Sequence, residues 1–134
     1  MTDTLKTPDV AEMTRFLAVE VIGWRLNNYK VEFGDLVFWE AWEEESQQWR
    51  YERAEYGWSP DTVPADRDML VEAMRKKGFL VDVLTRLNGE RQALVYMDEK
   101  EGDVFSDVAN TPGRVVLTAA YQAVKGMEEQ HHDT

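Results

Sequence analysis

Val10, Met13, Leu17, Val21 and Trp24 follow one another at steps of three and four residues, a spacing that aligns side chains along one stripe of a helix. Thr7 is placed to cap that helix, Pro8 suits its first position, and Asp9 and Glu12 favour the positive end of its dipole. Gly23 marks the expected end. Asn27, Asn28 and Gly34 then read as a connecting loop.

From Leu36 the pattern changes. LVFWEAW is rich in β-favouring residues, the polar EEESQQ interrupts it, and WRYERAEY alternates roughly, which predicts a hairpin or a pair of irregular strands. On a regular second strand Trp49, Tyr51 and Arg53 share one face, with Arg50, Glu52 and Ala54 on the other. The string EAWEEESQQWRYERA also satisfies a helical spacing, so residues 36–56 stand as a hairpin or a helix.

In WSPDTVPADRDMLVEAMRKKG, Asp61 or Thr62 can cap a second helix whose apolar face is Met69, Leu70, Ala73 and Met74, with Gly78 as its stop. FLVDVLTRL and ERQALVYMD flank Asn88-Gly89, a pair that tolerates the positive φ of a type I′ hairpin turn. KEGD makes a further turn and DVFSDVA a short strand. TPGRVVLTAAYQAVKG repeats the Thr-Pro start and Gly stop, here Gly126, of a helix whose Ala119, Ala120 and Ala123 permit close approach to a sheet. MEEQHHDT is polar and expected to fray, and no internal repeat is present. The elements predict one α+β domain over 1–127, with helices covering a small antiparallel sheet in a sandwich-like α/β/α arrangement, and a disordered tail at 128–134.

An N-terminal helix ends in Gly23-Trp24, WSPDTVPADRDMLVEAM opens a central helix, and VANTPGRVVLTAAYQAV opens an alanine-rich C-terminal one. Together these three short motifs resemble a family of small phage and prophage proteins, the phage ABA sandwich domain. The chain departs from the family in the order Ser59-Pro60-Asp61 and in lacking an aromatic residue in the helix that follows. The resemblance implies a phage-encoded accessory protein with an α/β/α sandwich. It transfers no catalytic residue.

Composition narrows the chemistry. A chain of 134 residues can build a core without staples, and the absence of cysteine removes disulfides, thiolate nucleophiles and sulfur-ligated zinc. No signal peptide or bilayer-spanning stretch is evident, so a cytoplasmic protein is expected, in the host cytoplasm if it is phage-encoded. The two histidines, His131 and His132, are confined to the tail, and neither a P-loop nor a dinucleotide fingerprint occurs. Asp98, Glu99, Glu101, Asp103 and Asp107 cluster around a turn; a carboxylate-metal enzyme is the reading they would serve, although a solvated turn is the simpler one. The expectation is a protein without catalytic activity, metal or cofactor. Arg75, Lys76 and Lys77 complement the negative end of their helix.

The formal net charge of −11 disfavours direct binding to phosphate backbones and suits a partner with a basic surface. Residues 38–58 hold four of the five tryptophans together with six acidic side chains. Aromatic anchors within a polar surround have the composition of an interface hot spot. Trp39, Glu40, Trp42, Glu43, Glu44, Glu45, Trp49 and Tyr51 are therefore the candidate contacts to a host protein, as in an anti-defence or anti-CRISPR-like inhibitor. A sponge for a nucleotide immune signal is the alternative, with Trp58 stacking a base and Arg86, Arg91 and Arg114 holding phosphates. A homo-oligomer stays open, and no membrane partner is expected.

Overall fold

The computed structural model describes residues 9–97, 105–109 and 111–132, with 105–109 and 128–132 described by their backbone. Among the described residues, three α-helices and two three-stranded antiparallel sheets make an α+β fold. Helix α1, Val10–Leu17, is capped by Asp9, whose carboxylate accepts the Glu12 N–H at 2.8 Å. The residue expected to serve the dipole is thus the cap, while Thr7 and Pro8 lie outside the described residues. The helix continues as one wide turn, Ala18–Ile22, and the N–H groups of Gly23 and Trp24 both donate to the Ala18 carbonyl at 3.0 Å. Gly23 closes it at φ +90°, a conformation that costs glycine little. Met13, Leu17, Val21 and Trp24 are buried along the stripe.

The segment expected as a loop is a strand. β1, Arg25–Val31, pairs with β2, Gly34–Glu43, through a tight turn at Glu32 and Phe33, and β2 pairs with β3, Gln48–Ala54. Nearly every β1 side chain is exposed, so no buried alternation marks it; it is held by backbone pairing. Residues 36–56 resolve as the hairpin. The β2–β3 register slips between Trp39 and Glu40, so that Glu52 is an extra residue on β3 and Arg53 pairs with Trp39. That bulge turns Arg53 to the face opposite Trp49 and Tyr51, against the expectation for a regular strand.

Helix α2, Pro64–Lys76, has Pro64 in its first turn and Val63, not Asp61 or Thr62, at its N-cap. Asp61 and Thr62 belong to the preceding turn, where the Thr62 and Val63 N–H groups donate to the Ser59 carbonyl. Strands β4, Phe79–Thr85, β5, Arg91–Met97, and β6, Phe105–Ala109, form the second sheet. The β4–β5 turn is longer than type I′: Arg86 N–H donates to Glu90 O, Gly89 takes φ +91°, and Asn88 keeps a negative φ. The KEGD turn lies outside the described residues.

Helix α3, Pro112–His132, lies on β5 and β6 with Ala119, Ala120 and Ala123 buried. It runs through Gly126 and past residue 127, where an end was expected, since one interior glycine costs only about 1 kcal/mol relative to alanine. Its first turn touches the loop before α2. A Cβ built on Gly113 falls 2.0 Å from the Asp61 carbonyl oxygen. Gly113→Ala is therefore expected to destabilise the fold by about 2–3 kcal/mol, read by denaturant unfolding; an unchanged midpoint would mean this junction yields freely. Among the described residues no helix is long and apolar enough to cross a membrane.

Candidate functional site

Antiparallel partners project to the same side of a sheet, so the β1–β2–β3 register sorts its side chains into two faces. The inner face carries Trp39, which packs against Trp24 at 6.1 Å between ring centres, while Trp24 meets Trp58 edge-on at 5.5 Å. Trp39 is 1% exposed, and its Nε1 donates to the Glu55 carbonyl at 3.2 Å. Arg53 fastens this face to α2: its guanidinium lies 5.1 Å from the Trp24 ring centre and its Nη1 is 3.2 Å from Asp66 Oδ1. The buried Asp66 also accepts the Ser59 N–H at 2.9 Å, so neither charge is left uncompensated.

The outer face receives Arg25, Asn27, Tyr29 and Val31 from β1, Leu36, Phe38, Glu40 and Trp42 from β2, and Trp49 and Tyr51 from β3. At one end Tyr29 stacks on Phe38 at 5.6 Å and Phe38 meets Tyr51 at 5.5 Å. Toward the other, Trp42 meets Trp49 edge-on at 5.5 Å. Between these groups lies Glu40, only 9% exposed, whose Oε1 accepts from Arg25 Nε at 2.7 Å and from Asn27 Nδ2 at 3.2 Å.

This face is open. Tyr51 is 66% exposed and Trp42 44%, and Tyr29, Val31 and Leu36 are exposed beside them. Phe33, at the β1–β2 turn, is 95% exposed. Apolar side chains scattered singly on a surface need no explanation, but a contiguous group rimmed by charge marks an interaction surface. Glu44 and Glu45 supply that rim at the β2–β3 turn, where Glu44 Oε2 accepts from Trp42 Nε1 at 2.9 Å and orients the indole. Glu32 and Asp35 are exposed at the opposite end of the sheet.

The structure therefore divides the residues proposed as partner contacts. Trp42, Glu44, Glu45, Trp49 and Tyr51 lie on or around the open face, whereas Glu43 pairs with Gln48 one position beyond Trp42 and projects from the other side, its Oε1 3.5 Å from Arg50 Nε. Trp39 is a core residue, because three positions along β2 put it opposite Trp42. Glu40 belongs to the outer face but lies beneath its neighbours rather than at the rim. Sequence reasoning missed Arg25, Tyr29, Val31, Phe33 and Leu36; the signal was Tyr-x-Val and Leu-x-Phe on either side of EFGD, a hairpin pattern with a glycine in its turn.

The residues of the nucleotide alternative do not line one cavity. Trp58 is buried against Trp24 and lines a cavity of about 350 Å³ with Arg15, Glu55 and Tyr56, whereas Arg86 lines another of about 480 Å³ at the β4–β5 turn with Leu84 and Leu87. Arg91 begins β5 and Arg114 lies in the first turn of α3; neither lines the Trp58 cavity. Arg75 pairs with Glu72 at 3.0 Å, as a helix-surface cation does. Asp98, Glu99, Glu101 and Asp103 lie outside the described residues, as do the side chains of Asp107, His131 and His132. Among the described residues no group of three or more histidine, aspartate or glutamate side chains is arranged to hold a metal.

No protein-family model, curated protein or solved structure matches the chain.

Proposed function

We propose that this is a non-enzymatic binding protein whose outer β1–β2–β3 face docks onto a basic surface of another protein. The observation that carries the reading is the exposed aromatic face with Glu44 and Glu45 at its edge. Its anchors are Trp42, Trp49 and Tyr51, ordered by pairing and stacking before any partner arrives, so little freedom remains to be lost on binding. These glutamates and the net charge of −11 supply attraction over distance. The phage-family resemblance extends the reading to a phage-encoded accessory protein that inhibits or redirects a host factor, with an anti-defence role.

Charge and aromatic contacts should divide the kinetics between them. Substituting glutamine at Glu43, Glu44 and Glu45 is expected to slow association with the partner roughly three- to tenfold and leave dissociation nearly unchanged, because exposed charges act on encounter. Binding traces at two ionic strengths check this. An association rate indifferent to salt and to the substitutions would assign the charge to solubility alone.

A further inference from the structure

Arg25 occupies a site on the outer face that is built for a guanidinium. Its Nε donates to Glu40 Oε1 at 2.7 Å, and its guanidinium carbon lies 4.6 Å from the centre of the Trp49 ring. A carboxylate accepting the Nε–H of a guanidinium whose plane lies against an aromatic ring is a combination that suits arginine better than lysine. Acceptor and occupant differ in how firmly they are held. The Glu40 side chain is 12% exposed and belongs to the central strand, whereas that of Arg25 is 50% exposed and reaches in from the edge strand. Asn27 Nδ2 gives Glu40 a second hydrogen bond at 3.2 Å, so the carboxylate keeps a donor if Arg25 swings away.

We propose that the Glu40–Trp49 corner is an arginine-binding subsite, filled by Arg25 in the free protein and by an arginine of the partner in the complex. This rests on the docking reading above and sharpens it: the partner presents arginine at its contact surface, and positive charge alone does not suffice. An incoming guanidinium replaces the departing one, so the buried carboxylate is never left unpaired. What is given up is an ion pair whose arginine is half-exposed, and the incoming pair replaces it in kind.

Calorimetric titration with nona-arginine and nona-lysine, which carry equal charge, tests the proposal on the whole chain and on variants shown by circular dichroism to be folded. Arg25→Ala is expected to bind nona-arginine roughly fivefold more tightly than the wild type, while nona-lysine changes less than about twofold. Arg25→Lys keeps the charge but loses the planar guanidinium and its Nε–H, and should also tighten nona-arginine, so it decides the matter if the alanine variant does not fold. Glu40→Gln should erase the preference for arginine. Equal tightening of both peptides by Arg25→Ala would be a charge effect and overturns the subsite, as does weaker binding of nona-arginine by Arg25→Lys. The double variant Trp42→Ala, Tyr51→Ala separates the two levels. If it loses both peptides and no arginine preference exists, docking stands and the subsite falls; if it binds both like the wild type, the docking face itself is wrong.

Discussion

Trp39→Ala is expected to lower the stability of the fold by about 3–5 kcal/mol, whereas Trp42→Ala, three residues away on the same strand, should cost at most about 1 kcal/mol. Trp39 is enclosed by Trp24 and by the chain around Glu55, and the volume it vacates would join the cavity it already lines with Trp58 and with Val10, Ala11 and Thr14 of α1. Those walls cannot close over the gap. Trp42 loses an edge-on contact with Trp49 and a hydrogen bond to Glu44, both at the surface. Urea unfolding followed by far-ultraviolet circular dichroism measures the two side by side. Similar losses would mean that the sheet does not present opposite faces to core and solvent as the register requires.

The second large effect concerns binding. Trp42→Ala and Tyr51→Ala should each weaken the complex by about 2 kcal/mol, close to thirtyfold, with most of the change in the dissociation rate. Both rings are exposed in the free protein, and each leans on an aromatic neighbour, Trp49 for Trp42 and Phe38 for Tyr51. They can therefore bury a large area without reorganising the sheet. Removing both should give less than the sum of the single losses, because they belong to one contact patch. Kinetic binding traces on the purified complex provide the numbers; a dissociation rate unmoved by either substitution would take these rings out of the interface.

Periodicity made some elements plain and left others hidden. The α1 stripe and the β4–β5 hairpin carry their signals locally, in three- and four-residue spacing and in Asn88-Gly89 between two apolar runs. β1 carries no such signal: RLNNYKV exposes nearly all of its side chains, and only pairing with β2 makes it a strand. The fate of the tryptophans was half legible. Trp39 and Trp42 are an odd number of positions apart, so on a strand one must point away from the other. Which one faces inward depends on Trp24 and Trp58, contributed by distant segments. The direction of Arg53 depends on the bulge at Glu52, a register shift between β2 and β3 that alternation within β3 does not encode. Glu40 has the composition of a rim acid, and only the three-stranded register shows it beneath Arg25 at the middle of the face.

The central claim is that partners meet the outer β1–β2–β3 face, and site-specific photo-crosslinking tests it most directly. A photoreactive phenylalanine analogue would be placed at Tyr51 on that face and, in a separate protein, at Leu84, an exposed apolar position on the second sheet. Irradiation in bacterial cells expressing each protein is expected to give a discrete adduct from position 51, with the crosslinked peptide of the partner bearing arginine, and none from position 84. An adduct of equal yield from both positions, or from position 84 alone, would contradict the account.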